Sequence, residues 1–175
     1  MKTLVDHLAQ YAAYHRDRRN IATHFVGIPM IVLGVATLLS RSGFEVLGVV
    51  LSPAMVFSLA SAIFYWRLDG RYGLVMTLLL LGSLGFGQVL ATQSMATWLG
   101  AGLGLFAVGW IIQFVGHYYE GRKPAFVDDL VGLIVGPLFV VAELGFFLGL
   151  RDDVRREVEA RVGPTCIRRG NEARA

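Results

Sequence analysis

Cysteine occurs once in the 175 residues, as Cys166. A disulfide within the chain is therefore excluded, and so is a metal site built on thiolates. Charge is scarce as well. Asp, Glu, Lys and Arg make up 17% of the chain, against about 25% in soluble domains, and much of that charge sits at the two ends. The net charge of +3 is too small and too scattered to suit nucleic acid, and it reads better as an orientation signal for a membrane. No cleavable leader is expected, because the first 20 residues mix charged and apolar side chains rather than forming an apolar stretch that ends in small residues. The chain also lacks the HxxxH and HxxHH boxes of membrane di-iron desaturases and hydroxylases.

What is present is apolar length. The chain is 55% hydrophobic with a mean hydropathy of +0.58, and from Ile21 to Leu150 it is mostly apolar runs of about 20 residues, the length a ~30 Å hydrocarbon core requires of a helix. Residues 1–15 predict an amphipathic helix, with Leu4, Leu8, Tyr11 and His15 on one stripe. A basic break, Arg16 to Asn20, follows. Apolar segments then run over about 21–40, 44–66, 72–92 and 97–117, joined at Arg41-Ser42-Gly43, Arg67 to Arg71, and Thr92 to Ala96. The final apolar stretch, 126–150, begins with Asp128 and Asp129, has Gly136-Pro137 at its centre and carries Glu143. Because proline breaks or kinks a helix, this stretch is either a fifth span or a helical hairpin that enters and leaves on one side.

Basic residues arbitrate. Lys2, Arg16, Arg18 and Arg19, the Arg67–Arg71 loop, Arg122-Lys123 and the tail arginines Arg151, Arg155, Arg156, Arg161, Arg168 and Arg169 all fall inside if there are four spans plus a hairpin, whereas five spans put the tail outside. The expectation is an all-α polytopic membrane helix bundle of four spans plus a C-terminal hairpin, in preference to five spans, with an N-terminal amphipathic helix. Residues 1–150 form one membrane domain and 151–175 a polar helix and tail. Both termini face the cytoplasm.

Reactive polar residues gather at helix ends on that inner side. His15 closes the amphipathic helix, His24 opens span one and His117 ends span four. At 100° per residue, Gln113, His117 and Glu120 fall within about 60° of one another, and Asn20, His24 and Gly27 share a face. Gly102, Gly109 and Gly116 recur beside the first of these faces, and small residues let helices approach closely in lipid. The polar face of span four is therefore expected to point inward. A lone histidine at a helix end is usually an interfacial residue, and His7 is read that way. Convergence of three imidazoles, two amides and one or two carboxylates at one depth reads as function. Glu120 and Glu143 are the carboxylates. Imidazoles with a carboxylate suit Zn or Fe, and a histidine–carboxylate set with open positions is the pattern of non-haem Fe(II) oxygen chemistry. Asn20 and Gln113 can hold a ligand's second ring nitrogen or a substrate oxygen.

Two segments carry a resemblance. Tyr14–Pro29 (YHRDRRNIATHFVGIP) fits H-x4-N-x3-H-x2-G-x-P, and Gln113–Leu130 (QFVGHYYEGRKPAFVDDL) fits Q-F-x-G-H-x3-E-x3-P-A. Both, with Gly136–Glu143 (GPLFVVAE), resemble the 2-hydroxy fatty acid dioxygenase family of fatty acid α-oxidation, a fungal type with bacterial members. The resemblance spans nearly the whole chain. It implies an Fe(II)-dependent enzyme that takes a 2-hydroxy fatty acid and O2 and shortens the acid by one carbon. His15, Asn20, His24, Gln113, His117 and Glu120 would be site residues, with His15, His24 and His117 as metal ligands and Glu143 or Glu120 as the fourth. The hydroxyl and carboxylate of such an acid can chelate iron, its tail can lie in membrane lipid, and Arg122 or Lys123 can neutralise the carboxylate. The joint between spans three and four is uncharged, where the fungal type carries charge. A Zn-dependent membrane lipid hydrolase using the same ligands, and a haem protein or lipid carrier without catalysis, remain alternatives.

Overall fold

A computed structural model describes residues 2–124 and 130–167. Asp128 and Asp129, and the tail arginines Arg168 and Arg169, lie outside the described residues. Seven helices account for most of what is described: α1 (Leu4–Ala12), α2 (Arg18–Ser40), α3 (Pro53–Leu68), α4 (Gly70–Ala91), α5 (Met95–Glu120), α6 (Gly132–Phe147) and α7 (Asp152–Val162). A two-stranded antiparallel sheet, β1 (Phe44–Val46) and β2 (Val49–Leu51), separates α2 from α3. The protein is thus a helical membrane protein. Helices α2, α4 and α5 have 23, 22 and 26 residues and are apolar enough to cross a bilayer, about 33–39 Å each at ~1.5 Å per residue.

Two segments depart from the sequence expectation. The run 44–66 is not one helix. Leu47 and Gly48 both take positive φ (51° and 80°), the geometry of a tight two-residue hairpin turn, so the valines on either side pair as strands. Pro53 then starts α3 at a first-turn position, where its missing N–H costs nothing. The 16-residue α3 is apolar but short. In the last stretch, α6 runs unbroken through Pro137. The chain instead turns by 112° between α6 and α7, at Gly149 and Arg151, which carry positive φ. The bend thus lies at the end of the apolar stretch and not at Gly136-Pro137, and α6 with α7 is either one broken span or a re-entrant pair.

Contacts divide the chain into two compact units. One comprises residues 29–110. There Asp69 ends α3 and caps α4, its carboxylate accepting from the N–H groups of Arg71 and Tyr72. Close approach depends on glycine: a Cβ on Gly34 would stand 2.8 Å from the Phe106 backbone, and one on Gly102 2.6 Å from the Leu38 side chain. Large apolar side chains such as Phe57, Leu78 and Val89 remain exposed on α3 and α4, as expected of lipid-facing surface.

The other unit comprises residues 1–28 and 111–175. Helix α1 is capped by a reciprocal Thr3–Asp6 box. It buries Leu4, Leu8 and Tyr11, as its stripe requires, against a core that includes Val135, Leu138, Phe139 and Ala142 of α6 and Val154 and Val158 of α7. Arg161 of α7 reaches back to Asp6 at 2.6 Å. Every candidate polar residue named above lies in this unit.

Candidate metal centre

Helix α1 stops at Ala12, so His15 stands on the linker to α2 rather than closing the helix. The linker returns the chain so that His15 meets His24, one turn into α2 beyond Asn20, and His117 in the last turn of α5. All three imidazoles are buried, at 0%, 1% and 7% exposure. Ring centroids are 4.4 Å apart for His15–His24, 4.9 Å for His15–His117 and 5.2 Å for His24–His117. One ring nitrogen from each lies within 4.8 Å of the other two. On α5, Gln113, Gly116, His117 and Glu120 are all buried while Phe114, Val115, Tyr118 and Tyr119 are exposed, so the polar face points into its unit.

The hydrogen bonds fix the tautomers. His15 Nδ1 lies 2.7 Å from the Tyr11 carbonyl and His24 Nδ1 lies 2.8 Å from the Asn20 carbonyl. A carbonyl only accepts, so each Nδ1 carries the proton, and in the neutral ring each Nε2 presents a lone pair. These two Nε2 atoms stand 2.9 Å apart. Two lone pairs at that distance repel unless a cation lies near both. Burial, then the neighbouring His24 and His117 rings, hold the His15 imidazole well below its usual range, which keeps it neutral, the form that ligates metal. His117 Nδ1 is buried and has no hydrogen-bond partner among the described residues. This donor set fits a divalent cation of the Fe(II) or Zn(II) kind.

Around the rings, Tyr11 stacks on His15 at 4.2 Å and Phe139 lies 5.4 Å from it, giving the site an apolar aromatic wall. Glu120 is fully buried but is not one of the clustered groups. Its Oε2 accepts from the Asp17 backbone N–H at 2.8 Å and from Asn20 Nδ2 at 3.1 Å, tying the end of α5 to the start of α2. Asn20 Oδ1 and Gln113 Nε2 are buried with no partner among the described residues. Gly116 permits this packing, since a Cβ there would fall onto Thr23 Oγ1 and Asn20 Oδ1.

Two candidates are placed elsewhere. Glu143 is not brought to the imidazoles: its carboxylate faces Arg16 at 3.5 Å. Arg122 is exposed and donates to the Ala13 carbonyl at 2.9 Å. His7 also lies outside the cluster. Within the basic break Arg16 to Asn20, Arg16 and Asp17 are buried, at 5% and 0% exposure, a feature that the sequence reading does not include. The signal was Glu143, since a carboxylate in an apolar run needs a cationic partner.

Comparison with known proteins places the chain in a family. The family described as "Mpo1-like: 2-hydroxy-palmitic acid dioxygenase Mpo1-like" matches residues 1–148. The chain is 32% identical over 154 residues to "2-hydroxy-palmitic acid dioxygenase MPO1" of Saccharomyces cerevisiae, an alignment that covers 87% of this chain and 85% of that protein. No solved structure matches.

Proposed function

The chain belongs to the Mpo1-like family, and from that premise we propose that it is a membrane-embedded, Fe(II)-dependent dioxygenase that shortens 2-hydroxy fatty acids by one carbon. The yeast relative's name supplies the substrate class and the reaction type. The observation that carries the cofactor is the pair of His15 and His24 lone pairs facing each other beside His117. His15, His24 and His117 would hold the ion, which when bound would supply the Lewis acidity and redox activity that O2 chemistry needs.

The protein's own groups do the rest. The backbone carbonyls of Tyr11 and Asn20 keep the imidazoles in the ligating tautomer. Glu120 holds Asn20 by its Nδ2, which leaves Oδ1 to accept from the substrate hydroxyl. Gln113 Nε2 donates to a substrate oxygen. Tyr11 and Phe139 exclude water and meet the first methylenes, and the rest of the tail runs into lipid, where each buried methylene contributes about 0.8 kcal/mol. Arg122, or Lys123 beside it, attracts the acid head group at the membrane surface on its way in. Both termini face the cytoplasm in this reading, so the head group enters from that side.

Atoms and electrons balance without a reductant. The C1–C2 bond breaks, C2 becomes the new carboxyl carbon and C1 leaves as CO2; the acid gives four electrons to O2, and acid and O2 together yield the shortened acid, CO2 and one water. The test is paired aerobic and anaerobic assays with a 2-hydroxy acid and its plain counterpart. Product should need O2, Fe(II) and the 2-hydroxyl, with one O2 consumed per acid shortened. Product formed without O2, or equal turnover of the plain acid, would overturn the reading, and activity restored by Zn(II) alone would favour the hydrolase.

A further inference from the structure

His24 and His117 are fixed by helices, but His15 stands on a linker, and something must hold that linker. The groups that do so converge on one buried guanidinium. Arg16 Nε donates to the carbonyls of Ala12 at 2.9 Å and His15 at 3.0 Å. Its Nη1 donates to the Gly163 carbonyl at the end of α7, at 2.9 Å, and its Nη2 faces Glu143 of α6 at 3.5 Å. The backbone adds a strap. Cys166 N–H donates to the Arg16 carbonyl at 2.8 Å, Arg18 N–H donates to the Cys166 carbonyl at 2.9 Å, and Asp17 and Cys166 form a parallel β-bridge.

We propose that Arg16 and the segment Gly163–Cys166 form a clamp that positions His15 as the third imidazole of the centre. Gly163–Cys166 lies beyond residues 1–148, the part that the family matches. A planar guanidinium reaches carbonyls of three segments at once in a way no ammonium can. Arg16 acts through His15 and is a positioning residue. The proposal rests on the three imidazoles forming a working centre, but its test need not use metal.

The experiment is histidine modification by diethyl pyrocarbonate on the metal-free, detergent-solubilised full chain, read residue by residue by mass spectrometry. In the wild type His15 should react far more slowly than half-buried His7. Cys166→Pro removes one backbone donor and Cys166→Ala keeps it. The first should raise His15 reactivity at least about tenfold, as loss of a buried backbone hydrogen bond allows, with His24 and His117 still protected. The second should leave His15 protected. Arg16→Lys should fall between wild type and Cys166→Pro. Fe(II) affinity should drop roughly 10- to 100-fold in Cys166→Pro, the usual cost of losing a ligand's outer support. Unchanged His15 reactivity in Cys166→Pro, or equal exposure of all three histidines, would overturn the clamp. A wild type that binds no Fe(II) would overturn the metal reading instead, and the modification pattern would still decide the clamp.

Discussion

His15 and His24 meet Nε2 to Nε2 across 2.9 Å, each with its Nδ1 turned onto a backbone carbonyl one turn back. Neither ring in its neutral form can supply the proton that an ordinary hydrogen bond between them would need. The pair is pre-organised to share something electrophilic, and His117 closes the third side.

Replacing any one of these imidazoles should therefore cost more metal than losing an outer partner does. His15→Ala, His24→Ala and His117→Ala should each lower Fe(II) affinity by more than about a hundredfold, measured by chelator competition, while still inserting in the membrane. His7→Ala should keep wild-type affinity, because His7 lies outside the cluster. Full Fe(II) retention in His24→Ala would sink the ligand assignment.

Gly116 gives a steric test of the same centre. A Cβ there would fall onto Asn20 and Thr23, and overpacking of that kind costs about 1–3 kcal/mol. Gly116→Ala should lower thermal stability and weaken Fe(II) binding together. Gly104→Ala, where a Cβ would meet nothing within 4 Å, should be neutral or slightly stabilising. Equal effects of the two substitutions would show that the α5–α2 approach at Gly116 does not matter.

The centre was legible because 3.6-residue periodicity places Gln113, His117 and Glu120 on one face, and Asn20 and His24 on another, whatever the tertiary structure. The inward direction of the α5 face followed from Gly116. What could not be read was anything set by long-range contact. Glu143, a metal candidate by its position in an apolar run, pairs with Arg16 instead, and the partner of a buried carboxylate is chosen by packing. The burial of Arg16 and Asp17 could not be read because nothing local marks a charged linker for burial. The hairpin at Leu47-Gly48 was hidden by apolar strand residues that composition alone cannot tell from a membrane helix.

Asp6 makes the docking of α1 on α7 sensitive to pH. The Thr3 backbone N–H, then Arg161, hold its carboxyl well below the usual carboxylate range. A depressed folded value means the stabilisation is fully present above the unfolded value of about 3.9 and is lost as pH falls below it. Asp6→Asn should thus melt below the wild type at pH 7, with the gap steady down to about pH 5 and narrowing below about pH 4. A gap that persists unchanged at pH 2.5 would mean the charge of Asp6 is not the cause.

The basic residues predict topology. With every basic segment on one side, reporter fusions at both the N-terminus and the C-terminus should give cytoplasmic signals. A C-terminus on the far side would mean an odd number of crossings, with either α3 failing to span or α6 and α7 crossing as a single broken span.

Gln113 and Asn20 separate binding work from structural work. Both are buried and each has one polar atom without a partner among the described residues, but their other bonds differ. Asn20 Nδ2 donates to Glu120 at 3.1 Å and to the Tyr14 carbonyl at 3.3 Å, so Asn20→Leu removes bonds that join α2 to α5 and strands a buried carboxylate. Loss of that kind costs about 1–3 kcal/mol or more where a charge is involved, and both stability and turnover should fall. In Gln113 the unpartnered atom is a donor, and a buried donor without an acceptor is itself a cost. Gln113→Leu should leave stability unchanged or raise it. If Nε2 donates to a substrate oxygen during reaction, kcat should nevertheless fall on the order of a hundredfold, the scale found for a single positioned donor, with Fe(II) affinity unaltered. Thermal unfolding, chelator competition and steady-state kinetics on the two variants distinguish these outcomes. A Gln113→Leu protein that turns over at the wild-type rate would remove Gln113 from the site, and one that loses stability as Asn20→Leu does would make its role structural.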